Sequence, residues 1–357
     1  MKVGIVTYHR ALNYGAVLQA VALRTVLEKL GYDAFFFNYW PSYHESKYAV
    51  FSWYKLRGYS FMDKVFYCRE SWRMAKPRLE RKRHFKSFFR KHVTPYCVSA
   101  SNRSMDVAVY GSDQIWRRQV ETGVYNPVYF GASLINARKK ISYAASMGLL
   151  PDNNIDIEIL REMLSNMDRI SVREQDLSSF LSSIGYEDHR VVMDPTLLLS
   201  GEQWANLVDI PDLGLGRYIL IYGITAISFD WAKLREFAGK RGLKIVHLSG
   251  TASNKDNECF FSTVGPEYFL SLIRDAEYVF SSSFHGVAFS VIFRKQFFAS
   301  FHSNSNRAQT LLDSLGLSDR MICDDVYDIP DIDYNVVQDK LDRLKEDSLS
   351  FLSESLN

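Results

Sequence analysis

Three serines and then a histidine, within Ser281-Ser-Ser-Phe-His285, form the stretch of this chain best suited to hold an anion. Tyr278, Val279 and Phe280 before them read as a short buried strand. From His285 onward, Val287, Ala288, Val291 and Ile292 recur at spacings of three and four, which predicts a helix. A strand ends, hydroxyls follow, and a helix begins with an imidazole in its first turn. Open α/β sheets bind ligands at the carboxyl ends of their strands. A helix N-terminus adds free N–H groups and a partial positive charge. His285 could serve there as a phosphate contact or a general acid. The competing reading is a buried histidine that caps its own helix. Ser282 and Ser283 could donate hydroxyl hydrogen bonds to the same anion.

Arg173 follows the short apolar run at Ile170, so it faces the crevice expected at a strand end. Its plainer alternative is an ion pair with Glu174. Asp113 lies just past the run Val107–Tyr110, where a carboxylate can take a proton from a hydroxyl or accept a hydrogen bond from one. It could equally cap the turn that follows. Trp116 could stack on a sugar face or simply fill the core. Asn13, Tyr14 and Gly15 form the first strand-to-helix loop, a good place to meet acceptor hydroxyls. His9 reads as an exposed loop residue and Asp194, before Pro195, as a turn residue.

These residues need a scaffold that brings strand ends together. Lys2–Thr7 reads as a buried strand, Ala16–Leu30 as an amphipathic helix stopped by Gly31, and Ala34–Phe37 as the next strand. This is the opening of a Rossmann-like domain. The loop lacks GxGxxG, and no Walker A sequence occurs. Residues 41–103 interrupt the alternation, with 62–92 helical and broken or kinked around Pro77. Strands and helices then alternate to Asp194. A second series begins at Tyr218–Tyr222 and continues through a helix at 231–240, a strand at 244–248, a helix at 266–275, the serine-histidine stretch, a strand at 296–299 and a helix at 306–315. The fold class expected is α/β: two Rossmann-like domains in a GT-B-like arrangement. Residues 1–197 form the acceptor side, with 41–103 inserted. Residues 198–216 are the linker, 217–330 the donor side, and 331–357 a C-terminal helix.

The net charge of +2 hides an asymmetry. Residues 43–97 carry +10 and the rest −8. The basic segment interleaves Trp53, Phe61, Phe66, Trp72 and other aromatics with Lys and Arg. It reads either as a helical subdomain with a solvated face or as a device for docking on an anionic inner membrane surface. Nucleic acid is not expected, because no reading module is visible and the body is acidic. Cys68, Cys97, Cys259 and Cys323 are too scattered for zinc or a disulfide framework. No secretory leader and no run of membrane-spanning length is apparent, so a cytoplasmic protein, peripheral at most, is expected.

Taken in order, Thr7-Tyr-His-Arg-Ala-Leu-Asn-Tyr-Gly15, Gly111-Ser-Asp-Gln-Ile-Trp116, Ser171-Val-Arg-Glu174, Val192-Met-Asp-Pro195 and Ser282-Ser-Phe-His-Gly286 resemble the polysaccharide pyruvyl transferase family. The resemblance spans about residues 3–316. It implies transfer of the enolpyruvyl group of phosphoenolpyruvate onto two sugar hydroxyls, as a cyclic ketal, with release of phosphate. It implies no cofactor and no metal, with phosphoenolpyruvate as co-substrate. The acceptor it implies is a hexose such as galactose, carried on a lipid diphosphate. Arg173 inherits a donor-binding role, and the catalytic roles fall to His285 and Asp113. Relatives carry Arg-Leu-His where this chain has Ser283-Phe-His285, so part of the phosphate clamp must come from elsewhere. Arg307 is the best substitute, against a surface ion pair. Two other readings stay open: a nucleotide-sugar glycosyltransferase of the same architecture, and a non-catalytic membrane-associated scaffold.

Overall fold

A computed structural model describes residues 1–56, 59–99, 104–119, 122–132, 135–151, 153–223, 230–248, 258–261, 263–301, 306–322 and 329–357. Its first half is built on seven strands: β1 (Lys2–Val6), β2 (Asp33–Phe37), β3 (Cys97–Val98), β4 (Met105–Asp113), β5 (Ala137–Ala145), β6 (Ile170–Val172) and β7 (His189–Val191). They are ordered β3-β2-β1-β4-β5-β6-β7, and every pairing is parallel. Val3 aligns with Ala34 on one side and Val107 on the other, which buries near-continuous apolar runs on both faces. The second half repeats the plan with five parallel strands: β8 (Tyr218–Tyr222), β9 (Lys244–Leu248), β10 (Glu258–Phe261), β11 (Tyr278–Ser281) and β12 (Gln296–Ala299). Their order is β10-β9-β8-β11-β12.

Both sheets reverse their strand order at one place, between β1 and β4 and between β8 and β11. Crevices at such points receive ligands, because the connecting helices diverge to opposite faces. The expected Asp113 thus lies at one switch point and the Ser281–His285 stretch at the other. Helix Tyr14–Lys29, buried along nearly its whole length, leaves the first crevice, and helix Phe284–Ile292, wholly buried, leaves the second. A single apolar core runs across the seam. Val17 and Leu18 of the first half belong to the same cluster as Phe269, Phe284 and Phe289 of the second.

Several expectations change. Within the segment 41–103, the residues before Cys97 are the crossover from β2 to β3, and Cys97–Val98 return to the sheet edge. Its long helical stretch is broken three residues before Pro77, at Met74, between helices Phe61–Arg73 and Ala75–His92, since the Pro77 ring would meet the Arg73 carbonyl in a continuous helix. Pro77 occupies the first turn of the second helix, where its missing N–H is not needed. The linker holds helix Gly201–Leu207, closed by a capping box between Ser200 and Gln203. The terminal helix, Tyr334–Leu356, packs back on the first half: Ser348 Oγ accepts from the Met193 N–H at 3.0 Å, and Arg190 meets Glu354 at 2.7 Å. Cys323 lies outside the described residues. Among the described residues no helix is long and apolar enough to cross a membrane.

Candidate active site

The crevice side of the second sheet is shaped by Ser281. Its hydroxyl accepts from the Ser283 N–H at 3.0 Å and turns the chain into helix Phe284–Ile292. Ser283 is the N-cap residue, yet its side chain makes no capping bond, so the first N–H groups of the helix keep their capacity for a ligand. His285, in that first turn, crosses the seam. A Cβ added to Gly15 would lie 1.9 Å from His285 Nδ1, so the imidazole rests directly on the backbone at the start of helix Tyr14–Lys29. Only glycine permits that approach.

The other edge of the ring meets the first half. His285 Nε2 lies 3.6 Å from Asp194 Oδ2, and Arg173 Nη1 donates to the same oxygen. Ser112 Oγ donates to it at 3.2 Å. Asp194 Oδ1 meanwhile accepts from Thr196 N at 3.0 Å and Thr196 Oγ1 at 2.7 Å. Asp194 is therefore the turn residue expected, and also the carboxylate that joins guanidinium and imidazole. Burial alone would push its carboxyl up, but His285 and then Arg173 more than offset this and hold it well below the usual range. Burial presses Arg173 down, yet Asp194 and Glu174 leave its pKa above the ordinary value.

Arg307 lies beside this group. Its Nε is 3.9 Å from Glu174 Oε1, and Arg173 Nε is 4.0 Å from the same oxygen. The two guanidinium groups flank the Phe284 ring at 5.9 and 4.8 Å from its centroid. Burial, then the like charge of Arg173, lowers the Arg307 pKa. Burial pushes the Glu174 carboxyl up, against Arg173, a bond from Ser146 and Arg307. Arg173 Nε and Nη2, His285 Nε2 and Ser282 Oγ are buried without hydrogen-bond partners. Buried donors are nearly always paired in a folded protein, so the free Arg173 nitrogens, with Arg307 beside them and in spite of the unpaired Glu174 Oε2, fit an anionic ligand with several acceptor oxygens.

Asp113 ends β4 at φ 70°, a left-handed conformation in which a non-glycine residue is uncommon. It is half-buried, and its charge reaches both Arg173 and Arg307. The acceptor residues divide differently. Asn13 Oδ1 caps its helix by accepting from Ala16 N at 3.0 Å. Tyr14 stacks on Phe269 at 4.7 Å and donates to Val264 O at 2.9 Å, so it packs the seam and does not line a sugar site. Trp116 is fully buried, stacked on Phe130 at 5.3 Å, with its indole N–H on Tyr129 O at 3.0 Å. It belongs to the core, and a sugar cannot reach it. His9, expected at the surface, is also buried. Its ring stacks on Phe36 and burial lowers its pKa to about 4.

Asp194 and Ser112 escaped the sequence reading as site residues, and Gly15 was read as an acceptor residue, not as the support of His285. Asp-Pro reads as a turn, which it is, and nothing local marks its second oxygen. A wider groove of about 380 Å³ lies elsewhere on the seam, between Lys91 and Asp209. Those two side chains already face each other at 3.7 Å in solvent, so the crevice of unpartnered donors remains the better candidate.

The family model described as polysaccharide pyruvyl transferase matches residues 13–300. No curated protein matches the chain. Among solved structures, the UDP-GlcNAc 2-epimerase of Neisseria meningitidis bound to UDP-GlcNAc is similar at 11% identity and a TM-score of 0.52, covering 100% of this chain and 99% of that one. A Staphylococcus aureus MnaA–UDP structure (10% identity, 98% and 90% covered, TM-score 0.48) and the Escherichia coli heptosyltransferase WaaC with ADP (11%, 84% and 87%, 0.39) are also similar. At such identities the first of these speaks to fold alone, and it agrees with two Rossmann-like domains of GT-B type.

Proposed function

Because the chain belongs to the polysaccharide pyruvyl transferase family, we propose that it moves the enolpyruvyl group of phosphoenolpyruvate onto two hydroxyls of a hexose during surface-polysaccharide assembly. The observation that carries this reading is the set of unpartnered buried donors on Arg173, His285 and Ser282, beside Arg307 and an uncapped helix N-terminus. Phosphoenolpyruvate brings a carboxylate and a phosphate, about three negative charges near neutral pH. Guanidinium groups bind such oxygens in pairs.

In the reaction, one sugar hydroxyl adds to C2 of the enolpyruvyl group. Its proton leaves to a base, and the methylene carbon takes a proton from an acid to become a methyl. The C2–O bond to phosphate then breaks, the electron pair leaving with phosphate, and a cation-like centre remains. The second hydroxyl closes on that centre and loses its proton, which gives a cyclic ketal and inorganic phosphate. His285 supplies the acid and Asp113 the base. Arg173 and Arg307 stabilise the departing phosphate. Asp194 orients both His285 and Arg173 from beneath. Galactose bridged at O4 and O6, on a lipid diphosphate, is the acceptor we would try first.

The test is incubation with phosphoenolpyruvate and a panel of lipid-linked mono- and disaccharides, read by mass spectrometry for a pyruvate ketal and by phosphate release. Stabilisation against heat by a nucleotide-sugar, with none by phosphoenolpyruvate, would replace this reading by a glycosyltransferase one. Phosphate release at the wild-type rate after His285→Ala or Arg173→Ala would remove that residue from the mechanism.

A further inference from the structure

The crossover between β2 and β3 leaves a large apolar face uncovered. Helix Phe61–Arg73 exposes Phe61 (78%), Met62 (73%), Phe66 (66%) and Trp72 (86%), and Trp53 beside it is equally bare. At about 100° per residue, Phe61, Met62, Val65, Phe66, Arg69, Trp72 and Arg73 share one arc of roughly 140°. The far side attaches the helix to the protein: Ser71 is buried, and the Tyr67 hydroxyl accepts from the Ser52 N–H at 2.8 Å. One side is therefore anchored while the other holds five large apolar side chains in water. Exposed apolar patches of that kind mark interaction sites.

We propose that this face docks on an anionic lipid bilayer. The two helices Phe61–Arg73 and Ala75–His92 carry 11 Lys/Arg against 3 Asp/Glu. The arc's own charges are Arg69 and Arg73; Asp63 and Glu70 lie off it, although Glu70 pairs with Arg73 at 2.6 Å. Aromatic and aliphatic side chains enter the boundary between headgroups and acyl chains while the arginines meet lipid phosphates. The −8 carried outside residues 43–97 favours approach by this segment, since the remainder is repelled on balance by an anionic surface.

Docking here also bears on the candidate site. Helix Ala75–His92 runs from this face to the seam, where Arg81 donates to Leu12 O at 3.1 Å and Phe85 stacks on Tyr14 at 5.4 Å. Tyr14 adjoins Gly15, beneath His285. Delivery of a lipid-borne acceptor to the crevice at His285 rests on the proposed function, whereas the docking itself does not.

The experiment sediments the full chain with vesicles of phosphatidylcholine alone or mixed with phosphatidylglycerol, at low and high salt. Binding is expected on the phosphatidylglycerol vesicles and should weaken with salt. Arg69→Ala with Arg73→Ala should lower partitioning roughly thirtyfold, because two guanidinium groups no longer meet lipid phosphates. Phe66→Ser with Trp72→Ser should lower it at least about tenfold. All four side chains are exposed, so circular dichroism should be unchanged. Phosphate release with a water-soluble acceptor should also be unchanged, which separates failed docking from failed chemistry. Equal partitioning on both lipids, no partitioning, or wild-type partitioning of both variants overturns the proposal. So does a concentration-dependent dimer, abolished by the Phe66/Trp72 variant, without vesicle binding; that result assigns the face to a second copy. Vesicle binding without any phosphate release keeps the docking and discards the proposed chemistry.

Discussion

Replacing Asp194 by asparagine isolates the charge that joins the two halves of the site. The amide keeps an oxygen for Thr196, so the turn survives. Its NH2 group would face Arg173 and His285, where Oδ2 now takes the Arg173 hydrogen bond and stands 3.6 Å from Nε2. Arg173, 3% exposed, would retain Glu174 at 4.0 Å, the Ser112 hydroxyl at 3.5 Å and the more distant charge of Asp113. Breaking a buried ion pair from one side costs roughly 3–5 kcal/mol, and the remaining carboxylate favours the lower end, about 3 kcal/mol. The pH dependence adds a second signature. The folded pKa of Asp194 is depressed, so its stabilisation is complete above the unfolded value near 3.9 and is lost as pH falls toward the folded one. The stability gap between wild type and Asp194→Asn should therefore stay constant from pH 7 to 5 and narrow by about 1.3 kcal/mol at pH 3. Urea unfolding followed by circular dichroism measures both quantities. A gap that is absent at pH 7, or that does not change at pH 3, would refute the account of Asp194 as the ionised partner.

Gly15→Ala should displace the imidazole, because the new Cβ would sit 1.9 Å from Nδ1 and 2.3 Å from Cγ. A shift of about 1 Å costs on the order of a hundredfold in turnover, with a stability loss of roughly 1–3 kcal/mol. Phosphate-release kinetics beside a melting curve would expose the opposite pattern, full turnover in a weakened protein. For Arg307→Ala, the loss of charge-assisted bonds to the donor should raise the KM for phosphoenolpyruvate by about tenfold or more. An unchanged KM would return Arg307 to the role of a surface ion pair.

The strands Tyr218–Tyr222, Lys244–Leu248 and Gln296–Ala299 and helix Asn306–Leu315 fall where their apolar patterns place them. Each is an uninterrupted apolar or amphipathic run with a polar stop at its ends. The two-residue β3 is too short to carry such a pattern and forms by pairing at a sheet edge. The break at Met74 is announced by Pro77, though not to the residue, because the ring acts on the Arg73 carbonyl four positions back. Periodicity finds a helix face and a strand end, so Arg173, His285, Asp113 and Ser282 were legible. It does not report depth, and for that reason Trp116 and Tyr14 looked available to a sugar while His9 looked exposed. The second oxygen of Asp194 was invisible for another reason: its partners lie 21 and 91 residues away in the chain, in different elements.

That separation has a consequence for how the site works. Arg173, Asp194 and Gly15 belong to the first half, while His285, Ser282 and Arg307 belong to the second. Neither half alone offers both an imidazole and a guanidinium to one carboxylate oxygen. The cross-seam contacts fix their spacing: Gly15 sets the height of the ring, and Asp194 sets its distance from Arg173. The shared core behind them, with Val17 and Leu18 against Phe269 and Phe284, holds the halves at that spacing through apolar burial, which has no directional preference of its own. Direction comes from the polar contacts and closeness from the core. A substitution that loosens the seam far from His285 should therefore reduce turnover before it unfolds either sheet.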